Sequence, residues 1–218
     1  EKVTMIVDTL KDMGMGGGHI HCRTGMNNSY MSEEFLDLVK DANEKFKERD
    51  MVTWLYDEDR WPSGSGGGMV TKDHKYRMRF LILTPEKLKE GEYPHERISG
   101  GTGARGGERR LLGHYQVSLE NGWLKDYRKI EPEQQPEEGY GEWFAYLEIS
   151  GDNPWFNNQS YVNTLDRNAI EQFIEVTHEK YYEILGEEFS KSIYTIFTDE
   201  PQFCHKTRLN FADDWMDI

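Results

Sequence analysis

"MVTWLYDED", residues 51–59, decides the fold. An apolar, β-favouring run at 51–56 reads as a buried strand, and it ends abruptly in three carboxylates, Asp57, Glu58 and Asp59. The stretch before it, "MSEEFLDLVKDANEKFKERD" (31–50), predicts an amphipathic helix. Ser32 is a good N-cap, acids fill the first turn, and Phe35, Leu38, Val39, Ala42 and Phe46 form one stripe. Further back, "GGGHIHCRTG" (16–25) is short, β-like and closed by glycine. "KVTMIVDTLKDM" (2–13) places Val3, Ile6, Val7 and Leu10 at helical spacing before Gly14. Helix, strand, helix, strand with short connections predicts βα units and a parallel sheet.

Downstream the rhythm changes. "YRMRFLILT" (76–84), "LLGHYQVSL" (111–119), "GWLKDYRKI" (122–130) and "EWFAYLEIS" (142–150) follow one another without helices, and "ENG" before Gly122 marks a tight hairpin. They predict an antiparallel β subdomain over 72–152, inserted between α/β segments 1–71 and 153–218. The α/β pattern resumes with a helix over 165–189, capped by Asp166, and an apolar strand, "SIYTIFTDEP" (192–201), that again ends in acids.

The 218 residues carry 36% hydrophobic and 30% charged side chains, which suits a soluble globular protein. A formal net charge of -14 argues against phosphate-rich nucleic acids and anionic membranes as partners. The 13% aromatic content suits surfaces that stack on ring-shaped ligands. No apolar run reaches the roughly 20 residues of a membrane span. The opening residues lack the basic and apolar regions of a signal peptide, which points to the cytoplasm. The missing initiator Met suggests a piece of a longer protein. Cys22 and Cys204 have no zinc-ligand spacing and read as two free thiols or one disulfide.

Functional groups of parallel α/β folds gather beyond the carboxyl ends of strands. Those ends deliver His19, His21 and Arg23, then Asp57, Glu58 and Asp59, then Asp199 and Glu200. The two-residue period puts His19, His21 and Arg23 on one side, able to line a pocket for a polyhydroxylated ligand or to form a solvated strand end. The acids at 57–59 can pair with Arg23 or Arg60 and hold hydroxyls. They can also hold a divalent cation, although the glycine alternation of a calcium loop is missing. Glycines 64 and 66–68 allow close backbone approach and, with Trp61, shape a rim; neither they nor the mobile-looking "SGGTGARGGERR" (99–110) carry the Lys-Ser/Thr of a phosphate loop. In "NPWFNNQSYVN" (153–163), Trp155 and Asn157 can stack on and hydrogen-bond a sugar, or simply pack a returning loop. Glu200 is the candidate proton donor, its pKa raised by Asp199 and partial burial; an ordinary acidic strand end fits the same tetrapeptide. His74, His95, His114 and His178 read as structural.

With these residues assembled, the chain resembles a group of bacterial glycoside hydrolase-like proteins with a (β/α)8 barrel. The resemblance rests on "GGGHIHCRTG", "WLYDEDRWPSGSGGG", "WFNNQSYVNTLDRNAIEQFIEVTHEKYYEILGEEF" and "IFTDEPQF". It implies that 16–23 is the second barrel strand, 52–59 the third and 192–200 the fourth, so the chain holds about three parallel strands of a partial barrel. It also implies a glycosidase whose acid/base Glu is Glu200, acting on an oligo- or polysaccharide; no cofactor is expected, a divalent cation at the acids being the open alternative. The related families carry Asn where this chain has Asp199, and their nucleophile comes from the seventh strand, beyond Ile218. The 218 residues alone are therefore expected to give no turnover and to self-associate through open sheet edges. A non-catalytic carbohydrate-binding or assembly module, and a metal-dependent hydrolase centred on Asp57 and Asp59, are the competing expectations.

Overall fold

The computed structural model describes residues 1–89 and 107–202. His95, Cys204 and most of the glycine-rich stretch at 99–110 lie outside the described residues. The chain divides into two units, Glu1–Val70 with Arg167–Pro201, and Thr71–Asp166 with Gln202–Ile218. The segment 153–166 thus belongs with the antiparallel strands.

In the first unit, α1 (Lys2–Asp12) leads to β1 (Gly17–His19), and α2 (Glu33–Lys47) to β2 (Val52–Tyr56). α2 starts as its sequence dictates: Ser32 accepts a hydrogen bond from the Phe35 N–H, and Phe35, Val39, Ala42 and Phe46 are buried. Leu38, placed in the same stripe, stays exposed. On α1 the inward face is Val3, Val7 and Leu10, packed on Phe46 and Met51, while Ile6 faces solvent. β1 is three residues long, and its glycines let two neighbours press against the backbone. A Cβ on Gly17 would overlap the Val52 carbonyl, and one on Gly18 would overlap the Phe46 ring.

The stripe predicted as one helix over 165–189 forms two, α3 (Arg167–Val176) and α4 (His178–Leu185). The break is Thr177, with φ -123° and ψ -74°, whose buried hydroxyl donates back to the Phe173 carbonyl at 2.5 Å. Bonding back onto the preceding turn is how Thr bends a helix. The final strand of the unit, β7 (Ile193–Phe197), pairs with β2, and β2 with β1, all parallel.

These three strands make an open sheet of order β1-β2-β7. One face meets the helices: Leu55 and Ile193 pack with Phe35, Val39, Tyr181 and Leu185. On the other face the register aligns His19 with Trp54 and Tyr56 with Phe197. Trp54 and Phe197 there are 48% and 43% exposed. Parallel sheets are ordinarily covered on both sides, so an open aromatic face is unusual.

The second unit is an antiparallel sheet of order β3-β6-β4-β5, built from β3 (Arg79–Thr84), β4 (Arg109–Glu120), β5 (Trp123–Ile130) and β6 (Gly141–Ile149). β4 and β5 meet at the predicted hairpin, where Asn121 (φ 53°) and Gly122 (φ 83°) take the left-handed conformations that a two-residue loop requires. Phe80 and Ile82 alternate inward on β3, and Phe144 and Tyr146 on β6. Buried charge here is paired: Arg109 Nε reaches Glu148 at 3.1 Å, and Arg77 bonds Asp152, Gln159 and the Thr71 carbonyl. His114 is buried against Phe144, ring centroids 4.7 Å apart.

Candidate functional site

At the carboxyl ends of β1, β2 and β7 the three predicted groups of polar residues converge. β2 ends at Tyr56, and the next two residues turn inward. Asp57 and Glu58 have no exposed surface, and Asp59 is 8% exposed. The three like charges are separated by giving each its own partners.

Glu58 is enclosed by backbone. Its Oε1 accepts the N–H groups of Asp59 (2.9 Å) and Gly67, and its Oε2 those of Gly64 (3.0 Å), Ser65 (2.8 Å) and Gly66 (2.7 Å). Gly64, Gly66, Gly67 and Gly68 all have positive φ, which a side chain resists. Burial pushes the Glu58 carboxyl up to about 7, and the N–H donors pull against it. The glycines that promised a rim for a ligand thus wrap a carboxylate of the chain itself.

Asp57 joins two strand ends. Oδ1 accepts from Ser63 Oγ at 2.6 Å, Oδ2 from Thr198 Oγ1 at 2.6 Å, and His178 Nε2 lies 3.4 Å from Oδ2. Burial raises the Asp57 carboxyl, opposed by Ser63, Thr198 and His178; burial also lowers His178, opposed by Asp57. Asp59 has Arg60 Nε at 3.5 Å. Cys22, buried and free, is pushed up to about 12 by burial and by Asp59 and Glu58, which favours the thiol over the thiolate.

Asp199 is half-buried and accepts from the Tyr56 hydroxyl at 3.1 Å. Its N–H donates to Ser63 Oγ at 2.9 Å, and its carbonyl accepts the Ser63 N–H at 2.8 Å. Glu200 is exposed, so the partial burial expected for it is not found. Its backbone is at φ 41° directly before Pro201. A β-carbon resists positive φ, and a following proline favours extended backbone, so this residue is held in a costly conformation.

Rings line the same end of the sheet. His21 stacks on Tyr56 with centroids 3.7 Å apart, and His19 meets His21 edge-on at 5.3 Å and Phe197 at 5.6 Å. His19 is held below its ordinary value by burial, then by His21. Arg23 lies beyond β1 and is exposed, as is Trp61 at 43%. Both Asp199 and Arg23 act on the His19 charge, in opposite directions.

Trp155 and Asn157 belong to the second unit. Both are exposed, Trp155 in the turn Pro154–Phe156 and Asn157 just after it at φ 55°. Sequence reasoning does not single out Tyr56, Ser63 or Thr198 and reads His178 as structural; a serine in a Pro-Ser-Gly turn carries no signal that it bonds a residue far along the chain.

Among the described residues, no group of three or more His, Cys, Asp or Glu is placed to hold a metal ion. Nor, among them, is any helix long and apolar enough to cross a membrane. No family model, curated protein or solved structure matches the chain.

Proposed function

We propose that the chain is part of a glycoside hydrolase catalytic domain, its parallel sheet a segment of a (β/α)8 barrel, hydrolysing glycosidic bonds of an oligo- or polysaccharide. The observation that carries this reading is Glu200: an exposed carboxylate at a parallel strand's carboxyl end, held at positive φ before a proline. Strained backbone of this kind collects at functional sites. Glu200 protonates the leaving glycosidic oxygen and then activates water, the exchange of roles that a single carboxyl performs in retaining enzymes. Asp199, His19, His21 and Arg23 bind hydroxyls, Asp59 and Trp61 border them, and Trp155 and Asn157 offer a separate contact. Asp57, closed off from solvent, acts through what it holds. The open aromatic face of the sheet agrees with a barrel interior completed by further strands.

Exposed Trp54 and Phe197 support a second reading, a non-catalytic carbohydrate-binding module, since stacking needs no proton donor. A metal-dependent hydrolase has less support, because hydroxyl donors already engage both Asp57 oxygens. Turnover of aryl glycosides by the full-length protein and its Glu200→Gln variant separates these. Loss of turnover supports the acid/base role, and unchanged turnover sinks it. Sensitivity to a chelator, reversed by a divalent ion, would favour the metal.

A further inference from the structure

Four segments of the first unit meet at one buried carboxylate. Asp57 comes from the end of β2, Ser63 from the loop that follows, Thr198 from the end of β7 and His178 from the start of α4. Ser63 is central. Its hydroxyl donates to Asp57 Oδ1 at 2.6 Å and accepts the Asp199 N–H at 2.9 Å, while its own N–H donates to the Asp199 carbonyl at 2.8 Å. Thr198 Oγ1, one residue before Asp199, reaches the other Asp57 oxygen at 2.6 Å. Ser63 and Asp57 are 1% and 0% exposed, so water does not compete for the bond between them, while Thr198 reaches Asp57 from the exposed side.

We infer that Ser63 and Thr198 are positioning residues, clasping the backbone before Glu200 onto Asp57 and so fixing where the Glu200 carboxyl stands. This rests on the role proposed above for Glu200. The physical argument is the backbone of Glu200 itself. A residue at φ 41° before proline relaxes towards extended geometry unless its neighbours prevent it. Phe197 is held through its carbonyl by the Asp57 N–H at 3.3 Å, Thr198 through its hydroxyl, and Asp199 through both backbone groups and its side chain. Every residue leading up to Glu200 is therefore tied to the β2 end or to the loop behind it. Breaking one tie lets the segment shift, and a shift of about 1 Å at a reacting group costs on the order of 100-fold in rate.

The test uses the full-length protein with Ser63→Ala, Thr198→Val and Thr198→Ser. Thr198→Val keeps the side-chain shape without the donor, and Thr198→Ser keeps the donor. Two readouts are taken: kcat and KM on an aryl glycoside, and amide hydrogen exchange at Ser63 and Asp199, whose N–H groups form the clasp. Ser63→Ala and Thr198→Val are expected to lower kcat by about 10- to 100-fold with KM little changed. They should speed exchange at both amides, while Thr198→Ser behaves as wild type. Wild-type kcat and exchange in Ser63→Ala and Thr198→Val, with Glu200→Gln inactive, would overturn the clasp and leave the glycosidase reading standing. Activity retained in Glu200→Gln would remove that reading, and the exchange measurement would still decide whether the clasp exists. Should Ser63→Ala fail to fold, Thr198→Val against Thr198→Ser carries the test.

Discussion

His178 Nε2 stands 3.4 Å from Asp57 Oδ2, joining the first turn of α4 to the carboxyl end of β2. The pair has opposite tendencies, since burial lowers the imidazole and raises the carboxyl. Glu179 beside it also acts on the imidazole, favouring its charged form.

The pair makes stability depend on pH with a definite sign. A histidine lowered in the folded state binds its proton more readily when unfolded. Its contribution is intact above the unfolded value of 6.5 and is lost as pH falls from there through the folded value. Urea midpoints measured from pH 5 to 8 should therefore fall less steeply on the acid side in His178→Gln than in wild type. Parallel curves for the two proteins would contradict the assignment.

Glu58 has the opposite linkage. Its folded value, about 7, lies above its ordinary value of 4.5. The stabilisation from protonation is present below 4.5 and lost as pH rises through 7. Glu58→Gln should remove that slope. Its amide also brings donors where the carboxylate accepts N–H groups, so a loss of about 1–3 kcal/mol is expected at neutral pH, read from urea denaturation.

Gly17 and Gly18 leave no room for a side chain. Ala at either position must displace the Val52 carbonyl or the Phe46 ring. Each substitution should cost about 1–3 kcal/mol, the usual price of overpacking, and loosen the pairing of β1 with β2. Urea midpoints check the first effect, and amide exchange at Ile20, which bonds the Trp54 carbonyl, checks the second.

Gly122 tests backbone conformation alone. Nothing lies within 4 Å of where its Cβ would stand, yet φ is 83°. Gly122→Ala should destabilise by about 1 kcal/mol, from the left-handed penalty rather than any clash. The same turn shows what local sequence can specify. "ENG" predicts two positive φ values between strands, and Asn121 and Gly122 have them. Ser32 likewise marks the start of α2, because a cap and its partner are only three residues apart.

Long-range pairing is where that legibility ends. The apolar stripe over 165–189 runs unbroken through Thr177, and the helix breaks there because its buried hydroxyl turns back to Phe173. Three adjacent acids read as one cluster, and nothing local says that Glu58 turns into the glycine loop while Asp57 turns towards Thr198 and His178. The expected convergence of β1, β2 and β7 followed from the parallel strand pattern. The partners that organise it, Tyr56, Ser63 and His178, are ordinary residues until the chain brings distant segments together.

The loop around Glu58 has one more consequence. Backbone N–H groups converging on a point form an anion site, and such sites ordinarily fill and empty with the concentration of a dissolved ligand. Here the anion is covalently tethered a few residues away, so its effective concentration is fixed by the chain. The loop's shape is thereby uncoupled from the ionic contents of the solvent, and Ser63, which opens the loop, is held in place by the chain alone.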